Sequence, residues 1–150
     1  MTDELLAILK KECASMEKSA DILDISYKKC KMIGIQNNYS LQDLEAFEAL
    51  TARFARLSDL LLQKIFRLID TIELVQDGTL LDRIHRAEKR NLISSAKQFT
   101  ELRHLRNSIA HEYEPDEYMR IFKDVLAATG QLLDATEKTS HYCNRLIRQK

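Results

Sequence analysis

The segment Arg103-His104-Leu105-Arg106-Asn107-Ser108-Ile109-Ala110-His111-Glu112-Tyr113 gathers residue types that can act on a phosphate. Arginine offers a planar fork of donors that stays charged at any physiological pH. Histidine exchanges a proton near neutrality, and asparagine can orient either partner. Such a set could hold a phosphodiester while an RNA 2′-hydroxyl attacks phosphorus. Arg106 would stabilise the negative charge that develops on the phosphoryl oxygens. His111 would move a proton, as base at the 2′-oxygen or as acid at the leaving 5′-oxygen, and the spacing leaves both roles open. This chemistry requires no metal. The same residue types also solvate exposed helix ends, which is the plainer account of the segment.

On a helix each residue advances about 100°. With Arg103 at the origin, Asn107 falls at about 40°, His111 at about 80° and His104 at about 100°, so these four share a face. Arg106 lies about 140° from His111 by the shorter way. Two copies of the segment packed together would bring two Arg106 and two His111 side chains to one place. Upstream, Arg83, Arg86, Lys89, Arg90, Lys97, Arg103 and Arg106 face only Glu88 and Glu101 within residues 83–106. That local excess is a candidate surface for RNA phosphates, with an ordinary solvated face as the alternative. Glu112, Glu114, Asp116 and Glu117 follow at once and suit the first turn of a further helix.

These residues need a scaffold, and the apolar spacing predicts one made of helices. Leu5, Leu9, Met16, Ala20, Leu23, Tyr27 and Cys30 mark a first helix over 3–33, with Gly34 as its stop. Ser40 with Asp43 opens a second. There Leu50, Phe54, Leu57, Leu61, Ile65, Leu68, Ile72 and Val75 recur at three or four, predicting one helix of about 35 residues that ends at Asp77-Gly78. Thr79 with Asp82 starts a third helix reaching about residue 92, and Ser95 with Gln98 a fourth that carries the polar segment. Pro115 suits the first turn of a fifth. Tyr118, Ile121, Phe122, Val125, Leu132 and Leu133 form its apolar side, and Arg145–Lys150 are expected to fray. The fold class expected is all-α: a compact five-helix up-and-down antiparallel bundle, residues 1–150 forming a single helical domain.

Composition agrees. The chain has 150 residues, 45% of them hydrophobic, enough for one core. Three glycines and one proline are too few for a barrel or sandwich, and no glycine-rich phosphate loop exists. Lysine plus arginine and aspartate plus glutamate each total 23, so net charge gives no support to nucleic-acid binding and warns of self-association. Cys13, Cys30 and Cys143 are odd in number and widely spaced, which suits buried thiols in a reducing compartment better than disulfides or zinc ligands. No apolar run suits a membrane span or a leader peptide, so a cytoplasmic protein is expected.

With these residues in view, Arg106-Asn107-Ser108-Ile109-Ala110-His111-Glu112-Tyr113 matches the R-x4-H-x-Y signature of the HEPN superfamily. The chain most resembles its HepT-like toxin branch, encoded beside minimal nucleotidyltransferase antitoxins. Residues 81–89 and 101–107, and the five-helix layout, extend the likeness. The resemblance implies a homodimer with the motif helices lining a cleft between subunits, and a metal-independent endoribonuclease with no cofactor. It assigns catalysis to Arg106 and His111, the following polar position to Asn107, and to Tyr113 the role of acceptor for AMP that the partner transfers from ATP. Added phosphates beside Arg106 would occupy the site and repel RNA. The alternative it carries is a non-catalytic nucleotide-binding or substrate-binding partner of a nucleotidyltransferase.

Overall fold

The computed structural model describes residues 2–75, 78–111 and 114–149, and at 111, 115 and 116 the backbone alone. The described residues form an all-α bundle of five rods. The first is α1 (Thr2–Ile33). The second comprises α2 (Leu41–Asp59), a π-helical segment (Leu60–Ile65) and α3 (Phe66–Ile72) without a break. α4 (Leu80–Lys89), α5 (Ala96–His111) and α6 (Pro115–Arg148) follow. Among the described residues no helix is long and apolar enough to cross a membrane.

On α1 the buried Leu6, Leu9, Cys13, Met16, Leu23 and Cys30, with half-buried Ala20 and Tyr27, repeat at alternating steps of three and four. That seam seats the helix along its whole length against its neighbours. Cys30 Sγ donates to the Ala46 carbonyl at 3.4 Å. Arg53 donates to Ser26 Oγ at 2.6 Å. Leu5 and Ile8 share a groove with Arg67 and Thr71, so the first two rods run antiparallel. α6 lies antiparallel to α1, with Ser140 donating to Glu17 at 2.6 Å. It runs the same way as the second rod: Phe122 stacks on Phe47 at one end, and Tyr142 bonds Glu73 at the other. Tyr39 closes the first turn by accepting from Gln36 N–H at 3.0 Å and packing on Phe47.

The predicted caps form. Ser40 Oγ accepts from Asp43 N–H, and Thr79 and Asp82 make the reciprocal box. Ser95 Oγ accepts from Gln98 N–H at 3.2 Å. The three thiols are free and buried, as their spacing suggested. Burial pushes the Cys30 thiol up to about 11. Cys143 is pushed up as well, first by its hydrogen-bonding neighbour Cys13 and then by burial, so neither is an activated nucleophile.

Three expectations change. The second rod is not a regular α-helix throughout. Leu57, Leu61, Ile65 and Ile69 are all fully buried and follow one another at steps of four. On a regular α-helix each such step drifts about 40°. A wider turn, in which Phe66 N–H bonds the Leu61 carbonyl, brings the apolar face back to the core. The rod also stops before Asp77-Gly78; Asp77 itself lies outside the described residues. Leu74 adopts φ 64°, with Val75 N–H bonded to Asp70 O and Leu74 N–H to Thr71 O. This is the glycine-type helix stop with leucine in the glycine position, invisible to a search for glycine. Finally, the C-terminal residues do not fray: α6 runs to Arg148, with Cys143 and Leu146 buried. Its stripe is continued by Thr129, Thr136 and Thr139, whose buried hydroxyls donate to the carbonyls of Val125, Leu133 and Leu92. Counting only apolar residues missed them, and overstated Tyr118, which is 39% exposed.

Leu74 is 85% exposed and held in the left-handed region, a cost of about 1–2 kcal/mol for an L side chain. Leu74→Gly should therefore raise stability by about 0.5–1 kcal/mol after the extra chain entropy of glycine is deducted. The expected signature is a higher urea midpoint at unchanged m-value.

Candidate functional site

α5 carries the polar segment, and its start is fixed by two acceptors. Beside the Ser95 cap, Glu88 from α4 accepts from Ala96 N–H at 2.8 Å. Phe99 and Leu102 are buried on the inner face, with the Phe99 ring 5.5 Å from that of Phe66. One turn on, Arg106 turns toward α2 rather than to solvent. Its Nε and Nη2 donate to Asp59 Oδ1 and Oδ2, both at 2.8 Å. The paired carboxylate holds the guanidinium more firmly protonated than usual, through the hydrogen bonds first and its charge second.

A cleft of about 70 Å³ opens between α5 and the second rod. Arg103, Arg106 and Asn107 line it from α5. Ser58, Asp59 and Gln63 line it from the other side, at the junction of α2 and the π segment. Ser58 is 6% exposed, and its Oγ has no hydrogen-bond partner. Thus three of the predicted site residues meet at one place. His104 does not join them; it is exposed, and its carbonyl accepts from Ser108 Oγ. His111 occupies the last position of α5, one turn beyond Asn107. Tyr113 lies outside the described residues, as does Glu112.

The predicted basic surface divides. Lys89 and Lys97 are exposed. Arg83, Arg86 and Arg90 instead point inward to Asp70, a residue only 4% exposed on α3. Arg86 binds it in a bidentate manner at 3.1 and 2.8 Å, Arg90 Nη1 at 2.5 Å, and Arg83 Nε stands 3.7 Å away. Arg90 also reaches Glu73, which accepts a short hydrogen bond from Tyr142. Arg83 Nη1 donates to the Leu62 carbonyl inside the widened turn at 3.3 Å. The expectation that these three form an open cationic face is thus corrected: all three are turned inward to Asp70, because a buried carboxylate must be paired.

Sequence reasoning missed Asp59, Ser58 and Gln63. Their signal was the pair Ser58-Asp59, polar residues between the buried Leu57 and Leu61. Among the described residues no group of three or more His, Cys, Asp or Glu side chains gathers as a metal site. A second, larger groove of about 340 Å³ lies nearby between Thr51 of α2, Ile109 of α5 and Tyr118, Ile121 and Phe122 of α6. No protein-family model, curated protein or solved structure matches the chain.

Burial opposes the Asp70 charge, but the hydrogen bonds and charges of Arg86 and Arg90 outweigh it and hold the carboxyl below its ordinary range. A depressed folded-state value means that the stabilisation is complete above the unfolded carboxyl's value, about 4, and is lost as pH falls through the folded one. Asp70→Asn should cost about 2–3 kcal/mol near neutrality by leaving guanidinium groups without their counter-charge. The gap between variant and wild type in urea unfolding should hold down to about pH 5 and narrow below about pH 4.

Proposed function

We propose that the protein is a metal-independent endoribonuclease toxin of the HEPN superfamily, in the HepT-like branch, acting as a cytoplasmic homodimer on RNA. The observation that carries this reading is the meeting of Arg106, Asn107 and Arg103 in one cleft on the helix that ends with His111. The all-α bundle and the R-x4-H-x-Y run from Arg106 to Tyr113 support it further.

In this mechanism the RNA phosphodiester sits against Arg106. The 2′-oxygen bonds to phosphorus as the bond to the 5′-oxygen breaks, leaving a 2′,3′-cyclic phosphate and a 5′-hydroxyl. One proton leaves the 2′-hydroxyl and one arrives at the 5′-oxygen; His111 carries one of these transfers. Arg106 stabilises the charge gathered on the non-bridging oxygens, and Asn107 orients the phosphate or the imidazole. Arg103, with the exposed Lys89 and Lys97, supplies phosphate contacts along the strand. A partner minimal nucleotidyltransferase silences the toxin by moving AMP from ATP to the Tyr113 hydroxyl, placing anionic groups beside Arg106.

Purified protein incubated with total RNA in EDTA is expected to cleave it, with Arg106→Ala and His111→Ala each at least about 100-fold slower. Equal cleavage by all three would remove the site. Loss of cleavage on adding EDTA would remove the metal-free mechanism. An inert protein that still binds the nucleotidyltransferase would leave the non-catalytic partner as the correct reading.

Mixing the protein with that nucleotidyltransferase and ATP should add the mass of one or more AMP groups. Tyr113→Phe should show no increment; an increment retained in the variant assigns the acceptor elsewhere.

A further inference from the structure

A guanidinium carries five N–H donors in a fixed fork, and which edge faces a ligand decides what it can grip. In Arg106 the Nε and Nη2 side is taken by Asp59, one bond to each carboxylate oxygen at 2.8 Å. Among the described residues no protein acceptor lies on Nη1. The outer edge, Nη1 with the second Nη2 hydrogen, is therefore left for a ligand in the cleft. Asp59 and a phosphodiester do not compete for the same donors; the carboxylate sets the plane in which the remaining edge is presented.

The place of Asp59 in the fold suits this task. It is the last residue of α2 and immediately precedes the π segment, a type of turn that recurs at functional sites. Buried Leu57 and Leu61 anchor the backbone on either side of it. The Asp59 side chain is 46% exposed and that of Arg106 27%, so the pair stands at the mouth of the cleft and contributes little to stability. Beside it, Ser58 offers a buried hydroxyl with no partner in the protein.

Resting on the ribonuclease reading above, we infer that Asp59 is the positioning residue of the site: it holds the Arg106 fork by its inner edge so that the outer edge meets the scissile phosphate. Its carboxylate also offsets the arginine charge, so its loss disorients the transition-state contact without weakening attraction for an RNA strand.

The test pairs kinetics with binding. Asp59→Asn and Asp59→Ala should lower kcat on total RNA by about 10–100-fold. Their affinity for a 2′-O-methylated oligoribonucleotide, which cannot be cleaved, should stay equal or become tighter. Asp59→Glu should recover most of kcat, and all three should keep the wild-type melting temperature within a few degrees. Unchanged kcat, or affinity falling in step with kcat, would overturn the inference. If wild-type protein cleaves no RNA, the ribonuclease reading fails, and the inference is decided by the arginine side-chain NMR spectrum. A protected Arg106 Nε–H signal that survives addition of the oligonucleotide and vanishes in Asp59→Asn supports it. A signal that is unprotected, or displaced by the oligonucleotide, overturns it.

Discussion

A carboxylate at 4% exposure cannot stand alone, and Asp70 recruits its partners from a different helix. Arg86, with Arg83 close by, comes from α4 and Arg90 from the position that caps it, and together they clamp that short helix across the end of the second rod. Glu73 then links Arg90 to Tyr142 and draws α6 into the same corner. Without this cluster α4 would have little to hold it, since Ile84 and Ala87 are its only buried residues. With α4 fixed, Glu88 is in place to accept from Ala96 and to start α5. The direction of α5 delivers Arg106 to Asp59 about three turns later. The position of the cleft thus descends from the neutralisation of one buried charge.

The second rod answers two demands at once. Its apolar face must follow α1 for its whole length and α6 along α2, and its opposite flank must present Ser58, Asp59 and Gln63 to α5. A strictly regular helix satisfies the first demand only if its buried residues alternate at three and four. Leu57, Leu61, Ile65 and Ile69 do not, and the widened turn absorbs the difference directly after Asp59. That turn also leaves the Leu62 carbonyl open to Arg83 Nη1, so the clamp on Asp70 and the irregular turn beside the cleft are joined through one side chain.

Much of the scaffold was legible because local chemistry and global packing agree there. The seam of α1, the caps at Ser40, Thr79 and Ser95, and the proline opening α6 are each settled by neighbours in sequence. Most of the failures share a cause: they need a partner from far along the chain. Leu74 is the local exception, its left-handed turn closed by Leu74 N–H to Thr71 O and Val75 N–H to Asp70 O. Thr139 is buried because Leu92 offers a carbonyl. Arg83, Arg86 and Arg90 read as a cationic face until Asp70 is placed among them. At the cleft, Arg103, Arg106 and Asn107 were visible from their spacing, whereas Asp59, 47 residues before Arg106 in the chain, was not.

Charge distribution separates capture from chemistry. The chain is neutral overall, three of its arginines are turned inward to Asp70, and Arg106 is paired with Asp59. Long-range steering of a polyanion requires an uncompensated field, which this arrangement does not supply within one subunit. On the proposed reading, RNA is then held by few phosphate contacts, and discrimination rests on the fit of one phosphodiester to an oriented fork. On the same reading, pairing two subunits would double the exposed Lys89 and Lys97 and the half-buried Arg103 without freeing any arginine from its structural duty. A neutral pair at the cleft mouth favours such an economy: it keeps the guanidinium aimed while leaving little net charge to trap a strand that is not being cut.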